Sequence, residues 1–129
     1  MGKIETVATD AAPAAIGPYS QAVRAGDFLF CSGQIPKDPA TGKMKNANIR
    51  EATDQALTNL KAVLNAAGAD VGHVVKTTVF LANLNDFAEM NERYAAFFGE
   101  HRPARATVQA GRLPADSLVE IEAIAYLGR

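Results

Sequence analysis

The chain carries one cysteine, Cys31, in 129 residues, which rules out an internal disulfide and any metal site built from several thiolates. Its two histidines, His73 and His101, lie far apart and lack ligand spacing, so no metal is expected and both are expected on loops at helix ends. No apolar run reaches the ~18 residues that a membrane-spanning helix requires. The opening stretch MGKIETVATDAAPAAIGPYS has neither the basic-then-apolar layout of a secretion signal nor an Arg-rich amphipathic pattern. Gly2 and Thr6 match an acylation motif only superficially, because Lys3 and Ile4 already begin a strand-like run. A cytoplasmic protein is expected. An excess of one charge is missing too: 13 Lys and Arg against 14 Asp and Glu leave a net charge of −1, with the cations scattered. Such a surface grips a phosphate backbone poorly, which disfavours nucleic acid as a partner.

What remains is a length suited to one domain over residues 1–129, enough to bury roughly two-thirds of its unfolded surface. Repeats, linkers and low-complexity segments are absent from the sequence. Short strands are predicted over 3–8 and 20–24, separated by the Pro-rich AAPAAIGPY, and a stronger one over 27–33. Ile49, Thr53, Ala56, Leu60, Val63 and Ala67 recur at helical spacing and predict a helix over 49–67. Asn48 and Glu51 resemble a capping box at its start, and Gly68 sits where a left-handed residue would end it. The β-branched run 73–83 predicts a strand. Residues 86–98 predict a second helix, with Phe87, Met90, Tyr94 and Phe97 inward and Gly99 as its stop. Strands over 104–111 and 117–127, read as a tight hairpin, complete one sheet covered by two helices.

Two helices cover one face of such a sheet and leave the other open. Side chains of a strand alternate between faces, so each strand divides into two sets. Ala104, Ala106, Val108 and Ala110, like Val119, Ile121, Ala123, Ala125 and Leu127, form apolar sets for the covered face. Matching them places Arg105, Thr107 and Gln109 on the open face with Glu120 and Glu122. Val75, Thr77, Val79, Leu81, Leu29 and Cys31 sort inward, leaving Phe28, Phe30, Phe80, Ile124 and Tyr126 outward. An open face this apolar predicts a homo-oligomer closed around the sheets.

Arg105 has two readings. It is either a surface cation in a salt bridge, or a planar fork that holds a carboxylate by two parallel hydrogen bonds. Glu120, with Glu122 in reserve, is either half of a structural ion pair or a carboxylate whose partial desolvation lets it move protons near neutral pH. Tyr19, after Gly-Pro in a loop, offers an exposed ring and hydroxyl to close a pocket. Ser32 and Gly33 offer a hydroxyl and an approachable backbone, or simply a turn. Asn91 borders the buried stripe of the second helix, where a structural hydrogen bond is the plainer role. Cys31 reads as a small core residue.

The segments AAIGPYSQAV, SGQIPKDPATG, VVKTTVFLANLNDFAEMNERYAAFF and PARATVQAGRLPADSLVEIEAIA resemble the RidA/YjgF family of imine deaminases over nearly the whole chain. The resemblance implies a chorismate-mutase-like α+β fold, a homotrimer and a ligand pocket at each subunit interface. It implies hydrolysis of 2-imino acids such as 2-iminopropanoate and 2-iminobutanoate, released as enamines by pyridoxal-phosphate dehydratases, with no cofactor in this protein itself. Carried over by position, Arg105 binds the substrate carboxylate and Glu120 orients the attacking water. Tyr19, Ser32, Gly33 and Asn91 line the pocket. Thr107 stands where many members have cysteine; water as nucleophile needs no thiol, and the residue's backbone stays available. The rival readings are an endoribonuclease or translation inhibitor, which would want a basic groove and stacking aromatics, and a non-catalytic carboxylate binder or chaperone.

Overall fold

The computed structural model describes residues 3–128, so Gly2 of the superficial acylation match lies outside the described residues. Strands β1 (Ile4–Val7), β2 (Ala22–Ala25), β3 (Phe28–Gln34), β4 (Val74–Leu81), β5 (Ala104–Gln109) and β6 (Val119–Tyr126) form one sheet in the order β1-β2-β3-β6-β4-β5. Helices α1 (Ile49–Ala66) and α2 (Phe87–Phe98) share a core with one of its faces. Only β4 and β5 run parallel, and the other pairs are antiparallel. The result is the expected α+β architecture, a mixed sheet backed by two helices.

α1 begins where Asn48 Oδ1 accepts the Glu51 N–H at 2.9 Å. The predicted capping box is only half made, because the Glu51 carboxylate reaches past Asn48 to the Ala47 N–H at 3.0 Å. Gly68 ends the helix at φ +79°, and the N–H groups of Gly68 and Ala69 close onto the carbonyls of Asn65 and Leu64. The buried face of α1 is wider than the predicted stripe and adds Ala52, Leu57, Asn59 and Leu64. Its leucines share one buried core with Leu29, Val79 and Ile121 of the sheet. Each such side chain contributes about 1.5–3 kcal/mol by leaving water. α2 buries Met90, Tyr94 and Phe98, whereas Phe87, predicted inward, is exposed. Both histidines serve local structure. His73 Nδ1 accepts the Asp70 N–H in the short turn before β4, and His101 Nε2 donates to the Val74 carbonyl.

The face assignment holds for β3 and β6. Leu29, Cys31, Val119, Ile121, Ala123 and Ala125 are buried, while Phe28, Phe30 and Tyr126 form an exposed aromatic cluster with Phe28–Tyr126 centroids 5.2 Å apart. Burial pushes the Cys31 thiol up to about 12, so it stays protonated as a core residue should. In β4 a bulge between Val74 and Lys76 turns Val75 outward and puts Val74 in the core.

The predicted hairpin is wrong. β4 lies between β5 and β6, pairing parallel with the first and antiparallel with the second. The chain leaves β4, crosses through α2 and returns beside β4, because α2 must lay Met90, Tyr94 and Phe98 on the sheet before the chain re-enters it. The face of β5 is inverted as well. Arg105 is level with Thr77 and Thr107 with Val79, both buried under the helices, so Arg105 and Thr107 belong to the covered face. Ala104, Ala106 and Val108 are exposed. Alanine loses little by exposure, and a guanidinium can lie flat on aromatic rings, so apolar composition misassigns an edge strand.

Candidate functional site

The seven predicted site residues gather into two groups on opposite faces of the sheet. The first comprises Arg105, Thr107 and Asn91. The Arg105 Nη1 donates to Asn91 Oδ1 of α2 at 2.7 Å. Its Cζ stands 4.7 Å from the Tyr94 ring centroid and 5.5 Å from that of Phe87. Tyr94 is fixed in turn by a 2.7 Å hydrogen bond between its hydroxyl and Thr77 Oγ1. The guanidinium is therefore braced on two rings and one amide. No ion pair among the described residues involves it, which removes the salt-bridge reading within this chain. Two residues along β5, Thr107 Oγ1 is buried without a hydrogen-bond partner among the described residues.

The second group is Glu120, Gly33, Ser32 and Tyr19. Glu120 is level with Phe80 on β6, between the buried Val119 and Ile121, and so faces away from the helices. β3 loses register between Cys31 and Gln34, and the Glu120 side chain lies against Gly33 there. A β-carbon on residue 33 would fall within 2.8 Å of Glu120 Cδ and 2.9 Å of its Cγ. Burial, the larger cause, and the neighbouring Glu122 both raise the Glu120 carboxyl above the usual range. Ser32 ties down the loop that carries Tyr19: its hydroxyl donates to the Ser20 carbonyl at 2.6 Å and its N–H to the Gln21 carbonyl at 2.9 Å. Tyr19 itself is exposed and, with Gly33, Ile16, Ile35, Pro114 and Ala115, lines a cavity of about 270 Å³.

Two strand spacings and three residues of offset separate Arg105 from Glu120, on the order of 14 Å between Cα atoms. Their side chains also point to opposite faces. One copy of the chain thus cannot offer both groups to one small molecule, contrary to the shared face predicted from the sequence.

Three supporting residues are not evident from the sequence. Phe87 and Tyr94 brace Arg105, and the signal for them was the aromatic stripe of α2, read only as core. Gln21 is buried, accepts from the Thr9 N–H and donates to the carbonyls of Thr9 and Pro13 at 2.6, 3.0 and 2.8 Å, which fixes the loop leading to Tyr19. A glutamine within the predicted strand 20–24 is the one hint.

Gly33→Ala is expected to displace the Glu120 carboxylate, since the backbone at Gly33 is ordinary and only space is lacking. Overpacking of this kind costs about 1–3 kcal/mol. Thermal unfolding should show that loss, whereas Gly26→Ala, where no atom lies within 4 Å of the added carbon, would show only backbone strain.

A mixed sheet in this order, two helices on one face and a braced guanidinium with no ion pair among the described residues define a small α+β protein with a candidate anion site. Residues 9–127 match the family described as Endoribonuclease L-PSP, and the chain belongs to this family, the RidA/YjgF proteins. A RutC family protein of Pyrococcus horikoshii is 56% identical over 122 residues, covering 95% of this chain and 97% of the relative. The 2-iminobutanoate/2-iminopropanoate deaminase of Escherichia coli K12 is 52% identical over 124 residues, covering 94% and 96%. The crystal structure of E. coli TdcF with bound serine superposes with a TM-score of 0.92 at 47% identity, covering 96% of this chain and 99% of that one.

Proposed function

We propose that this protein hydrolyses 2-imino acids, 2-iminopropanoate and 2-iminobutanoate among them, to 2-oxo acids and ammonia. The observation that carries the reading is Arg105, a guanidinium held in place by Asn91, Tyr94 and Phe87 yet without a carboxylate partner among the described residues. Keeping an unpaired cation so constrained makes sense if the missing anion is a ligand. The name of the E. coli relative, and the serine held by TdcF, are consistent with a small α-carboxylate there.

Arg105 clamps the substrate carboxylate and so fixes the adjacent imine carbon. Glu120 takes a proton from water as the oxygen attacks that carbon, forming a C–O bond while the C=N electrons move to nitrogen. The same proton is then delivered to nitrogen to give the carbinolamine. Its hydroxyl proton passes to nitrogen by way of the same carboxylate as the C–N bond breaks and the C=O bond forms, releasing ammonia and the 2-oxo acid. One water is consumed and no cofactor is needed. Tyr19, Ser32, Gly33, Asn91 and Thr107 shape the pocket. Since Arg105 and Glu120 lie on opposite faces of one sheet, the site joins Arg105 of one copy to Glu120 of a neighbour. The exposed Phe28, Phe30 and Tyr126 supply apolar surface for a closed homotrimer. We place the protein in the cytoplasm, where dehydratases release such imines.

An RNA-cleaving role, which the family's description carries, has less support from a chain of net charge −1. Coupling a threonine dehydratase to this protein and following imine loss tests the reading. Acceleration over the spontaneous rate is expected, and its absence would refute the deaminase activity.

The pH profile gives a second check. Hydrolysis needs ionised Glu120, whose folded pKa is raised, so kcat/KM should fall on acidification at a pH above the ~4.3 of an ordinary glutamate. Glu122→Gln removes one cause of the rise and should move that limb to lower pH; burial remains and limits the shift. Stability runs the other way. The contribution from keeping Glu120 protonated is complete below its unfolded pKa and is lost as pH rises through the folded one. Glu120→Gln should therefore unfold at a higher temperature than wild type at neutral pH.

A further inference from the structure

Ala115 and Asp116 hold left-handed backbone at φ 56° and 53°, two consecutive non-glycine residues in a region that glycine fills without steric cost. Strain of this kind persists only where the surroundings impose it, and it concentrates at ligand sites. Here the constraint comes from far away in sequence. Asn46, in the loop before α1, donates from Nδ2 to the Asp116 carbonyl at 3.1 Å and accepts the Leu118 N–H on Oδ1 at 3.0 Å. The Ser117 hydroxyl adds a bond to the Pro114 carbonyl at 2.5 Å. The Arg112–Asp116 ion pair is fully solvated and adds little.

The turn so held is one wall of the cavity beside Gly33. Pro114 and Ala115 line it together with Ile16 and Tyr19, and the Glu120 side chain lies against Gly33, another of its lining residues. Asn46 does not line the cavity. We infer that Asn46 is a positioning residue that sets substrate selectivity, holding the strained Pro114–Asp116 turn as a fixed wall that limits the side chain of the 2-imino acid. Released from Asn46, the turn can relax toward ordinary backbone and carry Ala115 away from the cavity, making room for a bulkier chain. This rests on the deaminase reading, because the cavity matters only if chemistry occurs beside Glu120.

The test measures kcat/KM for 2-iminopropanoate and for 2-imino-4-methylpentanoate, each generated by an amino-acid oxidase, on wild type, Asn46→Ala, Asn46→Asp and Ala115→Gly. Asn46→Ala should raise the ratio of bulky to small substrate roughly tenfold, the low end of what one methylene is worth in an apolar pocket. Asn46→Asp keeps the acceptor for Leu118 N–H but loses the donor, so it should fall between. Ala115→Gly suits the left-handed backbone, stays folded, and should shift the ratio in the same direction. An unchanged ratio in the folded variants, even with a lower melting temperature, would make Asn46 merely structural and overturn the inference alone. A wild type that accelerates neither imine would overturn the deaminase reading and the inference with it.

Discussion

Arg105→Ala is expected to lower kcat/KM by roughly 10²- to 10⁴-fold, because two hydrogen bonds to a charged group are lost, each contributing about 1.5–3 kcal/mol. Arg105→Lys should fall between, since lysine keeps the charge but not the fork. The fold should survive. Arg105 makes no ion pair among the described residues, and its stacking on Tyr94 and Phe87 is worth only about 0.5–1 kcal/mol per contact at a partly exposed site. The measurement is the dehydratase-coupled rate beside a melting curve. Full acceleration by Arg105→Ala would remove the clamp; loss of rate together with loss of the folded state would point to packing instead. Asn91→Ala, which frees the guanidinium without deleting it, should raise KM more than it lowers kcat.

The contrast between Arg105 and Glu120 shows what the sequence makes legible. Elements with a strong period were readable. The stripe from Ile49 to Val63 and the alternation Val119–Ile121–Ala123–Ala125 both face the core as their spacing predicts. Local chemistry was readable too, as Asn48 at the start of α1 and Gly68 at its end illustrate. Pairing was not. Nothing in the composition of β5 and β6 reveals that β4 inserts between them, because strand order is decided by where α2 can bury Met90, Tyr94 and Phe98. The parity of β5 failed for a related reason: an edge strand beside an aromatic helix can turn its arginine inward and its alanines outward. Gly33 looked like a turn residue. Its actual constraint, the carboxylate of Glu120 across the strand gap, is tertiary and invisible to local pattern. The candidate residues could be named from the sequence, but their division between two faces could not.

That division makes a second large effect predictable. If each site takes Arg105 from one copy and Glu120 from its neighbour, Arg105→Ala and Glu120→Ala proteins are each nearly inactive but fail in different halves. Unfolding the two together in equal amounts and refolding them scrambles the copies. A restored site needs its arginine from the Glu120→Ala chain and its glutamate from the Arg105→Ala chain. Random assembly into a closed ring meets both conditions at about a quarter of the interfaces, whatever the number of subunits. Activity should therefore return to about a quarter of the wild-type rate per chain from two nearly silent parents. Each parent refolded alone provides the baseline, and native mass spectrometry of a mass-tagged pair verifies that mixed oligomers formed. Mixed oligomers without recovered activity would mean that both groups act within one chain, which the opposite faces of this sheet forbid, or that one of them has no part in the chemistry. The same experiment asks whether the aromatic open face is an interface at all, since a protein that stays monomeric can neither mix nor complement.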